Sequence, residues 1–389
     1  MNTIQIDEAT QFVWDVIIIG AGVAGGSLAI QTSRRGLKTL LIEAKAFPRE
    51  KVCGGCLNQR AQESLKRLGI LESLLNRGAV RINTLDLRIR RTAVLWQIPS
   101  LLSVRRSTLD ETMVKTAIES GADFLAETSA TVKLETADSQ GNSTFRRIAI
   151  CHRDQSAIVE AKIVIAADGL TRSSLRELPL FQSRATIDSR IGVQAIVVRG
   201  EMQPSLPKET LQMLVSDSGY VGLSHTDGGM LDLAAAIDPK AIHEYGGIAT
   251  IIERILSDCL RCDVRLPSDL TWQATPHLTR SSTIVSSHRL LSVGDSIGYV
   301  EPFTGEGMSW ALSSAEAVLP YIVSTKESGW EISTSSAWSS WVQHQHVRKQ
   351  RQCRWIARQL RRPRISAFIL HVCNAFPPIR ATLIRKATS

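Results

Sequence analysis

The sequence lacks any run of 18 apolar residues, so no membrane-spanning helix is expected among its 389 residues. The first segment, Met1–Gln11, carries acids and lacks the basic and apolar stretches of a secretory signal. Seven cysteines, odd in number and scattered, do not make a secreted disulfide framework. Together these absences point to a cytoplasmic protein. Two Cys-x-x-Cys pairs, Cys53/Cys56 and Cys259/Cys262, stand some two hundred residues apart with no histidine set nearby, outside zinc-ribbon or finger spacing. No metal site is therefore expected. Cys259 and Cys262 fall on and just beyond a predicted helix, Ile251–Leu260, and are expected in a core. The longest acid-free stretch is at the C-terminal end, where Trp341–Ser389 holds eleven basic residues and no Asp or Glu. The remainder is nearly balanced, 35 basic against 37 acidic, so the whole positive excess lies at this end.

What is present begins with Asp15-Val-Ile-Ile-Ile-Gly20-Ala-Gly22-Val-Ala-Gly25-Gly26, followed by a helical stretch and then Lys38-Thr-Leu-Leu-Ile-Glu43. The apolar run Val16–Ile19 reads as a buried parallel strand. Gly20 permits the tight turn, Gly22 lets backbone approach a pyrophosphate, and Gly25 lets helix and strand pack closely. Glu43 ends the second strand, where a carboxylate can accept the hydroxyls of an adenosine ribose. Near the other end, Gly294-Asp-Ser-Ile-Gly-Tyr-Val-Glu-Pro-Phe-Thr-Gly305-Glu-Gly307 is a strand end, an aspartate and a Gly/Pro-rich turn. It opens a helix whose Met308, Ala311, Leu312, Ala315, Leu319 and Ile322 share one face. Such a helix entry favours negative charge. The two signals together indicate a flavin site.

In order along the chain, Gly20-x-Gly22-x-x-Gly25, Arg106-x-x-Leu109-Asp110, Ala167-Asp168-Gly169 and Gly294-Asp295 resemble FAD-dependent oxidoreductases of the para-hydroxybenzoate hydroxylase fold. Lys51-Val-Cys53-Gly54-Gly55 and Pro302-Phe-Thr-Gly305-Glu-Gly307 look most like the geranylgeranyl reductase branch, with flavin halogenases and epoxidases as neighbours. The resemblance implies an α/β fold: a doubly wound, Rossmann-type FAD domain with an inserted mixed β-sheet substrate domain and a helical C-terminal tail. The expected division is 1–80, 101–178 and 283–330 for the FAD domain, 81–100 and 179–282 for the substrate domain, and 331–389 for the tail. By the same resemblance Glu43 holds the adenosine ribose and Arg106 reaches the FAD phosphate or ribose. Asp168 contributes to the flavin site, and Asp295 binds the ribityl or pyrophosphate end. Pro302, Gly305, Gly307 and Met308 lie against the isoalloxazine. The Asp168 motif departs from the hydroxylase pattern by one extra residue and puts Arg172 where a serine is usual, which leaves NAD(P)H or another electron donor open. Ser107 and Asp110 also have capping-box spacing.

Two reactions fit this core. In one, reduced FAD passes a hydride to a double bond and a protein acid adds the proton, with Cys53, Tyr220 and His225 as candidates. In the other, a monooxygenase hydroxylates or epoxidises through a flavin hydroperoxide. A non-redox binding protein on the same fold is a third, remote reading. In the Cys53–Cys56 loop, Cys-x-x-Cys spacing can lower one thiol pKa; the alternative is that small residues are needed where backbone meets flavin. The stretches Ile191–Val198, Leu211–Val215, Tyr220–Ser224 and Leu231–Ile237 predict strands of the substrate sheet. The positions matching the prenyl reductases' aromatic-rich strand are Val221, Leu223, His225 and Thr226, so that signature is missing. Trp96-Gln-Ile-Pro99 echoes half of a halogenase motif, but Val94 stands at its first tryptophan, and Trp96 is expected in a pocket wall or core.

The tail predicts a helix over about 338–362 with arginines on one arc and Val342, Cys353, Ile356 and Leu360 on the other, then a second apolar stretch, Ile365–Val372. Its basic face suits anionic lipid or an acidic protein partner, such as a carrier presenting a tethered substrate, or is simply solvated. No nucleic-acid motif accompanies the charge, so nucleic acid is not expected. A hydrophobic or carrier-bound substrate, and a cytoplasmic protein that can sit peripherally on a membrane, complete the expectation.

Overall fold

A computed structural model describes residues 1–135, 143–198, 200, 202, 204–301, 303 and 305–375, apart from the side chains of 346–349, 352 and 363. The chain builds two large sheets. In the first, Leu290–Ser292, Gln155–Ala166, Val13–Ile19, Thr39–Ile42 and Asp123–Leu125 lie side by side and parallel. An antiparallel pair, Thr128–Val132 and Arg146–His152, extends Gln155–Ala166. A parallel strand covered on both faces must be apolar on both. Val16 and Ile18 accordingly pack with the helices Val23–Ser33, Arg106–Glu119 and Gly307–Ser328, while Trp14, Ile17 and Ile19 pack on the opposite layer with Leu175, Leu178 and Phe181. Each such fully buried aliphatic side chain is worth roughly 1.5–3 kcal/mol.

The second sheet runs Gln273–His277, Ile191–Val198, Met230–Ile237, Gly219–His225, Thr210–Val215, Val80–Ile89, Thr92–Ser103, Cys56–Leu57. All its pairs are antiparallel except Thr210–Val215 with Val80–Ile89, which makes it mixed. Alternation gives it two apolar faces. Val193, Leu214, Val221, Leu223 and Leu233 pack on the helix Ile248–Leu260, whereas Leu87, Trp96, Met213 and Tyr220 face the other way. The four strands expected in the middle of the chain all form, within a residue or two of their expected ends.

The tail forms two helices, Ile332–Leu360 and Pro363–Ala375. Buried Trp338 ties the first to the parallel sheet by donating from Nε1 to the Ser292 carbonyl at 3.0 Å, and it stacks on Trp341. Cys353 and Leu360 are buried as the arc pattern requires, and Leu360 and Leu370 pack on the second sheet's open face. The tail thus spans both sheets. Among the described residues no helix is long and apolar enough to cross a membrane.

Two local expectations are corrected. Ser107 and Asp110 form no capping box: the helix Arg106–Glu119 starts after Arg105, Ser107 Oγ donates to Glu50, and Asp110 is taken by Arg106 and Arg49. Cys259 is buried, but Cys262 lies past the helix end and is exposed.

Candidate functional site

Where the C-terminal ends of Val13–Ile19 and Gln155–Ala166 meet the open face of the second sheet, a cavity of about 430 Å³ opens. Its first end is built by the glycine-rich turn. A Cβ on Gly25 would lie 1.9 Å from the Gly20 carbonyl oxygen, so this position is closed to any side chain. Gly22 differs: a Cβ there would clash with nothing, the nearest atoms being the Arg106, Arg49 and Lys51 cations at 3.5, 3.7 and 3.9 Å. Gly22 is also the N-cap of the helix Val23–Ser33. Three cations converging on a helix N-terminus form a receptor for a polyanion such as a diphosphate. Burial, and then the Arg106 charge, push the Lys51 ammonium below its ordinary pKa, as expected of a cation short of anions.

Glu43 stands beside this cluster at its expected strand end. Its carboxylate accepts from the Ala21 and Lys45 amides, both at 3.1 Å, and pairs with Arg49 at 3.0 Å. Arg49 also binds Asp110 at 3.2 Å, and Asp110 holds Arg106 at 2.7 Å, so four side chains form one network. Asp295, in the turn Gly294–Ile297, lines the cavity near Lys51 and Arg106; burial raises its pKa against the pull of both cations.

Asp168 is placed differently from its expectation. It does not line the cavity; its carboxylate accepts from the Ser174 amide at 2.7 Å and from the Ser296 hydroxyl at 3.2 Å, and so clamps the Asp295 turn from behind. Gly169 takes the cavity position instead. Arg172 has φ 48° and turns away to Ser282 and the Ile284 carbonyl.

Further in, the Cys53–Cys56 loop meets the turn before the helix Gly307–Ser328. A Cβ on Gly305 would sit 3.6 Å from the Cys56 carbonyl oxygen, so the two loops touch. Gly305, Gly307 and Met308 line the cavity; Pro302 lies outside the described residues. Burial raises the pKa of both thiols, Cys56 to about 12, which is opposite to the lowering expected from Cys-x-x-Cys spacing. The loop is held from the sheet side, where Gln194 accepts from the Cys53 amide at 3.2 Å and donates to its carbonyl at 2.9 Å. Gln194 also donates to Asp232 at 2.8 Å. Asp232 is buried, its Oδ2 has no hydrogen-bond partner, and burial lifts its pKa to about 7.

The remaining walls are apolar: Leu85, Leu87, Trp96, Met213, Leu278 and Phe303 among them, closed off by Ile356, Leu360, Ile369 and Leu370 of the tail helices. Among the described cavity-lining residues only Lys51, Arg106 and Asp295 are charged, and all three stand at the glycine-rich end. On the strand Gly219–His225, Tyr220, Gly222 and Ser224 line the cavity while Val221, Leu223 and His225 do not. His225 is thereby removed as a catalytic candidate: it is an odd number of residues from Tyr220, and its Nε2 lies 2.8 Å from the Leu206 carbonyl oxygen. Three of the four positions of the prenyl comparison, Val221, Leu223 and His225, lie on this hidden face. Tyr220 packs edge-to-face on Phe303 at 5.1 Å, and burial and then the neighbouring Glu301 carboxylate raise its phenol well above the ordinary range. Glu301 in turn pairs with buried Arg190 at 3.0 Å.

The sequence reading missed Arg49, Gln194 and Asp232, and treated Lys51 only as part of a motif. The two basic residues ahead of Cys-Gly-Gly were a readable signal for the phosphate end; Gln194 and Asp232 lie within apolar strands and gave none.

The chain is similar in sequence or fold to several known proteins. The chain is 27% identical over 333 residues to Conditioned medium factor receptor 1 of Dictyostelium discoideum, covering 78% of this chain and 62% of that one. It is 25% identical to the Menaquinone reductase of Mycolicibacterium smegmatis, covering 90% of this chain and 85% of the relative. A Digeranylgeranylglycerophospholipid reductase 2 of Methanothermobacter thermautotrophicus is 27% identical over 81% of this chain and 79% of its own. Among solved structures, the flavin-dependent brominase Bmp2 superposes with a TM-score of 0.78 at 17% identity, covering 97% of this chain and 94% of that one. The diphosphate receptor at Gly22, the carboxylate beside it and the glycine turn at the second helix entry fit FAD: Arg49, Lys51 and Arg106 would hold its phosphates, and the Cys53–Cys56 and Gly305–Met308 loops would flank its ring. The model of the FAD binding domain matches residues 13–324, and the chain belongs to that family as an FAD-dependent oxidoreductase.

Proposed function

We propose that this oxidoreductase reduces a carbon–carbon double bond in an apolar, chain-like substrate. The observation that carries the reading is the charge-free wall beyond the cofactor end, which offers a substrate burial and no ionic partner. When bound and reduced, FAD supplies the hydride. The chain's own residues do the rest: they exclude water, align the double bond between the Cys53–Cys56 loop and the Tyr220 strand, and deliver one proton. Tyr220 is the proton donor on this reading, because the residue lines the cavity, burial keeps its phenol protonated, and Glu301, paired with Arg190, stands against it. Cys53, also protonated, is the other candidate. One hydride, which the bound cofactor would supply, and one proton from the chain would add across the bond, so the two-electron reduction balances. Two relatives whose names denote reductases of isoprenoid compounds support the choice of substrate class.

The test is anaerobic mixing of the fully reduced holoprotein with menaquinone or a geranylgeranyl-bearing lipid. Reoxidation of the flavin with a product two hydrogens heavier, saturated in its prenyl chain rather than reduced at the quinone ring, is expected. Tyr220→Phe should slow it about 100-fold or more, and Cys53→Ser less. If reoxidation requires dioxygen and the product instead gains one oxygen, the monooxygenase reading replaces this one.

A further inference from the structure

We propose that the outer face of the C-terminal helix pair docks on an anionic lipid surface and opens the apolar end of the cavity to it. The two helices each show one side to the cavity and another to solvent. On Pro363–Ala375, Ser366, Ile369, Leu370 and Cys373 line the cavity at helical spacing, whereas Arg364, Ile365, Phe368 and His371 are exposed. On Ile332–Leu360, Ile356 and Leu360 face inward, while Arg351, Trp355 and Arg358 form an exposed stripe at i, i+4 and i+7. Trp355 belongs to both sides: it is 57% exposed and also lines the cavity, so it stands at the mouth.

One feature selects lipid over an acidic protein. Large apolar side chains are left bare among the arginines: Phe368 is 69% exposed and Ile365 42%. Exposed apolar side chains rimmed by cations mark an interaction site, and aromatics set among arginines suit the boundary between headgroups and acyl chains. The charge is also one-signed, with eight basic and no acidic residues from Ile332 to Ala375. One of these, Arg361, is bound to the body through Asp238 and the Asp188 carbonyl. The exposed arginines flanking Trp355 and Phe368 are Arg351, Arg358, Arg362 and Arg364. Such an arrangement is an interfacial anchor: cations meet headgroups and aromatics reach the acyl boundary. A cavity whose apolar end lies beneath this face can take its substrate without exposing it to water. The inference extends the function proposed above, but its test reads binding without turnover, so the two fail separately.

The experiment is co-flotation of the FAD-loaded full chain with vesicles of phosphatidylcholine alone or with about a third phosphatidylglycerol, at low and high salt. Binding to the anionic vesicles only, weakened by salt, is expected. Arg351→Glu with Arg358→Glu should weaken it by roughly 20-fold or more, and Phe368→Asp should weaken it too, both with unchanged FAD content. Equal binding by parent and charge-reversed protein overturns the proposal. So does retention on polyglutamate without binding to vesicles, which would make the face a site for an acidic partner.

Discussion

Arg49 pairs with Glu43 at 3.0 Å and so joins the strand-end carboxylate to the phosphate-binding cations. The dinucleotide fingerprint alone would leave Glu43 free for ribose; here the same carboxylate also fixes the loop that carries Lys51. Burial works to raise the Glu43 pKa, but the Arg49 charge and hydrogen bonds outweigh it, and the net direction is down. A lowered carboxylate pKa contributes stability above the ordinary value near 4.5, and that contribution is lost as pH falls through the folded value. Glu43→Gln should therefore flatten acid unfolding in this low-pH window. Arg49→Ala should destabilise by roughly 3 kcal/mol, since it strands a buried carboxylate, and should lower FAD affinity. Urea titrations across pH and flavin-fluorescence titration measure the two effects; an Arg49→Ala protein of parental affinity would remove Arg49 from the site.

The glycines of the first turn should separate by substitution. Gly25→Ala places a carbon 1.9 Å from the Gly20 carbonyl oxygen, so the protein should express poorly or unfold. Gly22→Ala meets no atom closer than 3.5 Å and should keep the fold while losing FAD, because its methyl occupies the phosphate's approach. Circular dichroism with flavin quantification distinguishes them. Equal flavin content in Gly22→Ala and parent would refute the diphosphate receptor.

Asp232 supplies a second pH signature with the opposite sign. Its folded pKa, about 7, lies above the ordinary 3.8. Between those values the folded chain holds a proton that the unfolded chain has released, so stability falls as pH rises through the interval and then levels off. Asp232→Asn mimics the protonated form, keeps an acceptor for Gln194, and should remove most of this slope. At pH above 7 the variant should exceed the parent by about 1–3 kcal/mol in denaturant titrations. An unchanged slope would mean another group is titrating.

His225 and Tyr220 should behave oppositely despite lying five residues apart on one strand. His225→Ala leaves the Leu206 carbonyl short of a partner and should cost about 1–2 kcal/mol of stability with turnover unchanged. Tyr220→Phe keeps the packing on Phe303 and should reduce turnover with stability nearly unchanged. Loss of turnover in the histidine variant, with normal melting, would return it to the active site.

Much of this protein was legible in the residues. Val16–Ile19 with its glycines, the strand ending at Glu43 and the helix entry at Gly305–Gly307 are local patterns, because turn conformation, period and capping are set by neighbours in sequence. With the family resemblance they carry, they were enough for the α/β fold and the FAD cofactor; the two-sided first tail helix followed from period, whereas Pro363–Ala375 was read only as an apolar stretch. What the tertiary structure decided was which way side chains face and which distant ones meet. A strand shows alternate residues to opposite sides, and sequence does not say which side is the cavity; of the two candidates on this strand, Tyr220 lines it and His225, five residues on, does not. Asp168 was read as a cofactor ligand, yet Ser296, far along the chain, claims its carboxylate. Gln194 and Asp232 acquire their roles only because the sheet brings them under the Cys53–Cys56 loop. Such partners are set by long-range packing, for which no local pattern carries a record.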